Sequence, residues 1–165
     1  MAVWNYKILG SDSSLDFYNT LNEVIFNYLG LTEELRKKKN IFSLNDLTKD
    51  YVIQVKDSLE YCLPILTEEA ENFKRLTDEP CNPFCILSFI LIKNDLKFPI
   101  ELIEKVKSEI KNTLETKGIV NEYKKEIKKF DNVVENYLNN KLTEKMLKSI
   151  EPRSLIEEIF RAMNK

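Results

Sequence analysis

Residues 83–92, PFCILSFILI, are apolar at every position but Ser88. They follow Asn82, and an Asn before a Pro is a helix start signal, with Asn as the N-cap and proline at the first helical position. A helix that is apolar all round has to be covered on every side. The rest of the chain must therefore wrap this segment, and that demand governs every fold it can adopt. The run is about half the length a membrane span needs, so no membrane association is expected.

The covering elements are legible as helices from apolar residues recurring three and four apart. A first helix is expected over 13–29, with Leu15, Tyr18, Leu21, Ile25 and Tyr28 on one face. Asp12 serves as its N-cap, and Gly30 stands at the C′ position. A short helix over 33–39 opens on Thr32, and its acidic start and basic end both suit the helix dipole. After a linker, a helix over 48–62 carries Tyr51, Val52, Val55, Leu59 and Cys62. Pro64 is expected to interrupt it, since proline lacks the N–H and clashes with the preceding turn. A separate acidic helix then covers 68–76. Further helices are expected over 99–117, ending at Gly118, and over 119–139, 143–150 and 152–163. Glu101 and Lys105 form an i,i+4 pair worth about 0.3 kcal/mol. Only three glycines occur in 165 residues, and that scarcity argues against tight hairpins and phosphate-cradling loops. The expected fold class is all-α: a single domain, 1–165, of seven to eight helices around the apolar one. A short extended amino-terminal arm, 1–12, packs on it.

Composition narrows the chemistry. The chain has no histidine, which removes Ser-His and Cys-His catalysis and histidine-containing zinc or di-iron sites. No G-x-x-x-x-G-K-[ST], G-x-G-x-x-G or H-E-x-x-H pattern occurs. Cys62, Cys81 and Cys85 make an odd set without framework spacing. Cys81 and Cys85 read as small hydrophobes beside a buried helix rather than as metal ligands. No metal and no cofactor are expected. The amino terminus shows no charged stretch leading into an apolar one, so a cytoplasmic protein with reduced thiols is expected.

Charge is uneven. Residues 1–82 hold nine Lys/Arg and fourteen Asp/Glu, and residues 83–165 hold sixteen and thirteen. The basic groups Arg36–Lys39 and Lys124, Lys125, Lys128 and Lys129 come without any nucleic-acid-binding motif, so nucleic acid is not an expected partner. The carboxylates of 33–34 and 68–71 suit helix amino termini through dipole energetics alone.

The amino-terminal arm reads Trp4-Asn5-Tyr6-Lys7-Ile8-Leu9, then Ser11-Asp12, then Leu15-Asp16-Phe17. This resembles an uncharacterised bacterial family of small proteins, a domain-of-unknown-function family. Its members open with a Trp-Gly pair, a Phe or Leu, an Asn/Ser-Asp pair and a helix bearing a further Asp. Trp4, Leu9, Ser11-Asp12 and Asp16 match that pattern; Asn5 replaces its Gly and Ser14 its Ala. The resemblance implies little about activity, since none is assigned to the family. Trp4, Asp12 and Asp16 are the candidate binding residues. The competing structural reading docks Trp4 into the core and ties Asp16 to the arm.

The leading expectation is a non-catalytic protein that binds another protein through an acidic face, in the manner of an immunity protein or antitoxin. The alternatives are a carboxylate-metal hydrolase or nuclease and a nucleic-acid-associated regulator. Acids massed on one exposed face favour the first; four or more carboxylates lining one cavity favour the metal enzyme.

Overall fold

The computed structural model describes residues 12–41, 52–76 and 81–151. These contain seven α-helices and no strand: α1 (Asp12–Tyr28), α2 (Glu33–Lys39), α3 (Val52–Leu76), α4 (Pro83–Lys93), α5 (Ile100–Glu115), α6 (Asn121–Leu138) and α7 (Glu144–Ile150). The fold is the all-α domain expected. The arm with Trp4, the linker after Ile41 and the helix expected over 152–163 lie outside the described residues. None of the described helices is long and apolar enough to cross a membrane.

Helix α4 is central. It packs against α1, α3 and α5, and every residue from Pro83 to Ile92 is buried. Ser88 fits this apolar setting because its hydroxyl donates to the Cys85 carbonyl at 2.8 Å, leaving no unpaired buried donor. Helices α1 and α3 run antiparallel beside it. Phe17 meets Phe73 at one end and Tyr28 meets Tyr61 at the other, each ring pair 5.0 Å apart. Helix α5 then packs on α6, and α6 on α7. Lys107 of α5 ties the first of these pairs together by reaching Asp131 and Glu135 of α6.

Helix α3 corrects the sequence reading. It runs unbroken through Pro64 as one helix of 25 residues. Pro64 is exposed, so the carbonyl that loses its helical donor can turn to water. The Thr67 hydroxyl donates to the Leu63 carbonyl at 2.8 Å, securing the next turn. The buried stripe Val55, Leu59, Cys62, Leu66 and Ala70 crosses the proline without a break, and this packing outweighs a local penalty of about 3 kcal/mol. Glu68, Glu69 and Glu71 are consequently mid-helix residues, not a helix start. Replacing Pro64 by Ala should raise stability by about 1 kcal/mol, the gained ladder bond being partly offset by a freer unfolded chain. Urea denaturation measures this, and a destabilised variant would mean that the turn is built around the ring.

Other boundaries shift by small amounts. Asp12 is the first helical residue rather than the one before it. Helix α5 stops at Glu115 with Thr116 extended, so Gly118, at φ +86°, serves the following turn. Lys105 reaches Glu71 of α3 rather than Glu101 and lies 4.8 Å from the Phe84 ring centroid.

Four of the described helices close with paired 6→1 and 5→2 backbone bonds. At the end of α4, Leu96 N–H bonds to Leu91 O at 3.0 Å and Asp95 N–H to Ile92 O at 3.0 Å. The same pattern ends α1 at Gly30, α2 at Asn40 and α6 at Asn140. Of these four left-handed residues only Gly30 is a glycine. The chain manages with few glycines because Asn and Asp tolerate that conformation. Leu31, Ile41 and Leu96, which follow three of these turns, drop into the core.

Candidate functional site

The exposed stripe of α3 consists of Gln54, Asp57, Glu60, Tyr61, Pro64, Ile65 and Glu68. Between Gln54 and Glu68 its exposed residues include three carboxylates and no cation; Lys56 is half-buried on its flank, and Lys74 and Arg75 are exposed in the last turn of the helix. Beside it, α1 contains no Lys or Arg at all, and it exposes Asp16, Glu23 and Tyr28. Large apolar groups stand open among these acids: Tyr61 is 70% exposed, Tyr28 49% and Ile65 48%. Tyr28 and Tyr61 stack on one another across the two helices, with their planes 31° apart. Ile65 lies one turn beyond Tyr61 on α3. Glu23 is neutralised by a two-pronged bond from Arg36, at 2.9 and 3.2 Å. Asp16, Asp57, Glu60 and Glu68 form no ion pair with a described residue. Tyrosines held on rigid helices are strong anchors for a partner surface, since they bring large area at small cost in side-chain entropy.

A second polar cluster is buried at the amino terminus of α4, where α1, α3, α5 and α6 converge. Asn82 occupies the N-cap position as expected, but its side chain makes no capping bond. Its Nδ2 instead donates to Thr113 Oγ1 at 3.1 Å and to the Tyr123 hydroxyl at 3.0 Å. The cap comes from α5: Glu109 Oε1 accepts the Cys85 N–H at 2.9 Å. Glu109 is 2% exposed. Its other oxygen stands 3.5 Å from Lys74 Nζ, close enough for attraction but with no hydrogen bond. Burial drives the Glu109 carboxyl up to about 7; the Cys85 N–H and the Lys74 charge only partly oppose it. The Cys85 thiol is pushed well above its ordinary range by burial and then by the Glu109 charge. A thiol held protonated in this way is a poor nucleophile. The Tyr123 hydroxyl is likewise raised, chiefly by burial. Cys81 is half-buried and accepts from the Ser14 hydroxyl at 3.9 Å. All three cysteines are free thiols. This cluster is built to hold helices together.

The predicted site residues are not brought together by the described structure. Asp16 is exposed on α1, and its carbonyl accepts the Thr20 hydroxyl at 3.0 Å. Trp4 and the Asp12 side chain lie outside the described residues, so Asp16 alone of the three can be assigned to a surface. Among the described residues no three His, Cys, Asp or Glu side chains converge to hold a metal ion. Sequence reasoning missed Tyr61 and Ile65, which fall off the buried stripe of α3 at four-residue spacing. It also counted Tyr28 with the core face of α1, although it stands at the helix end with room to turn outward.

No family model matches the chain, and neither curated proteins nor solved structures show a significant likeness to it.

Proposed function

We propose that this chain acts by binding a basic protein on the face formed by α1 and α3, as an immunity protein or antitoxin masks its target, and without chemistry of its own. The observation that carries the reading is the stacked, exposed pair Tyr28–Tyr61 with Ile65, set among Asp57, Glu60 and Glu68 on a stretch of α3 whose exposed residues include no cation from Gln54 to Glu68. An apolar centre with a single-sign rim is the layout of a steered interface. The rim speeds the encounter and rejects acidic surfaces, and the aromatic centre supplies the affinity. Asp16 extends the same acidic strip along α1.

The test is quantitative capture from an extract of the native host. The wild-type chain should retain a basic protein. Tyr61→Ala should weaken that complex by at least about 2 kcal/mol, roughly thirtyfold in Kd. A Glu60→Lys, Glu68→Lys double variant should slow its association. A Lys125→Glu, Lys128→Glu variant of α6 should bind as the wild type does. All these residues are exposed, so stability should hold within about 0.5 kcal/mol. Binding that ignores the α3 substitutions, or a captured partner that is acidic, would overturn the reading.

A further inference from the structure

The carboxy-terminal ends of α4 and α6 face each other across a cleft of about 470 Å³, lined by Asp95, Lys97, Phe98, Tyr137, Leu138 and Asn140. That volume lies within the usual range for a small-molecule site. Its apolar wall is Phe98 and Tyr137, with ring centroids 5.6 Å apart. The Tyr137 ring is fixed because its hydroxyl donates to the Leu96 carbonyl at 2.6 Å, with the Asp95 carboxylate 3.4 Å away. Asp95 and Asn140 both hold left-handed backbone, at φ +53° and +57°. Glycine would adopt this conformation without strain. These two residues instead present an acid and an amide to one cleft. Asp95 and Lys97 carry opposite charges two residues apart, yet neither forms an ion pair with a described residue.

A bare cation would meet Lys97 there, and a bare anion would meet Asp95 and the negative ends of two helices. A ligand carrying both charges satisfies both. We propose that this cleft binds a free α-amino acid, its ammonium on Asp95, its carboxylate on Lys97 and its apolar side chain against Phe98 and Tyr137. The carboxy-terminal helix ends add to the attraction for the ammonium. The Asn140 amide supplies a donor for the carboxylate. No residue of this cleft belongs to α1 or α3, so the site stands or falls independently of the protein-binding face.

The test is a titration of the isotope-labelled chain with L-leucine, N-acetyl-L-leucine and L-leucinamide, following backbone amide resonances. L-Leucine should give saturable shifts at residues 95–98 and 137–140. Acetylation removes the ammonium and amidation removes the carboxylate, so each should weaken binding about tenfold or more, as expected for loss of a charge-assisted bond. Asp95→Asn retains a residue that tolerates left-handed backbone. It should bind L-leucine about tenfold more weakly and no longer distinguish it from N-acetyl-L-leucine. Absence of saturable shifts, or equal affinity for all three compounds, overturns the proposal. So does a leucinamide affinity matching that of leucine, which would point to peptide amino termini instead.

Discussion

Replacing Phe89 by alanine should destabilise the protein by about 4 kcal/mol, and Leu87→Ala by about 3 kcal/mol. The two side chains are 1% and 0% exposed, although they leave α4 in different directions. Each truncation removes buried apolar surface and leaves a void that the surrounding helices can only partly fill, since protein interiors are close-packed. Against a typical total of about 5–15 kcal/mol, either loss is a large fraction of what holds the fold. Urea denaturation at constant pH measures it, with the m-value confirming that the same surface unfolds. A cost well under 1 kcal/mol at Phe89 would place that ring outside the core and make α4 an interface helix.

The second large effect is a dependence on pH. Glu109 has its carboxyl raised from 4.5 to about 7 in the folded chain. Below about pH 4.5 both folded and unfolded chains hold this proton, and the group contributes no difference. As pH rises toward 7, the unfolded chain releases the proton while the folded chain keeps it. Folding is progressively disfavoured through that window, by about 3 kcal/mol once pH exceeds 7. Glu109→Gln keeps an oxygen able to accept the Cys85 N–H but cannot ionise. The stability of the Gln variant relative to wild type should therefore improve by about 3 kcal/mol between pH 4.5 and pH 8, read as the difference between paired urea curves. A difference that stays flat across that range would show that the carboxyl ionises at its ordinary pH.

Much of the architecture was legible because it rests on local signals. Asn82-Pro83 fixes the start of the central helix at Pro83, and the all-apolar run places its end within one residue of Lys93. Thr32 caps α2 as its position suggests, accepting the Leu35 N–H at 3.2 Å; Thr143, expected inside the helix over 143–150, is instead the cap of α7 and accepts the Met146 N–H at 3.2 Å. Pro64 misled because a local penalty was weighed without the tertiary packing that overrides it. Glu109 was opaque for the converse reason. Leu102, Val106, Glu109 and Thr113 share the buried face of α5. On spacing alone, a carboxylate in such a row looks like an interruption, and only the three-dimensional neighbour, the open end of α4, gives it a purpose. The exposed Tyr28–Tyr61 pair was hidden too: spacing places Tyr28 on the core face of α1, and Tyr61 lies off the stripe of α3, where periodicity carries no signal.

The remote cap has a consequence for the order in which structure is acquired. The first turn of α4 receives no bond from the Asn82 side chain, and its partner Glu109 follows Cys85 by 24 residues. A chain emerging amino terminus first presents α1, α3 and the most apolar helix of the fold before that partner exists. Until α5 arrives, the start of α4 is unsatisfied and its apolar surface is uncovered on one side, the condition under which nascent chains associate wrongly. Docking of α5 is then expected to be the commitment step, because it closes the helix end and covers α4 together. Glu109→Ala, which leaves the Cys85 N–H without its acceptor, should slow refolding in stopped-flow measurements, whereas substitutions in α7, the last described helix, should act mainly on the unfolding rate.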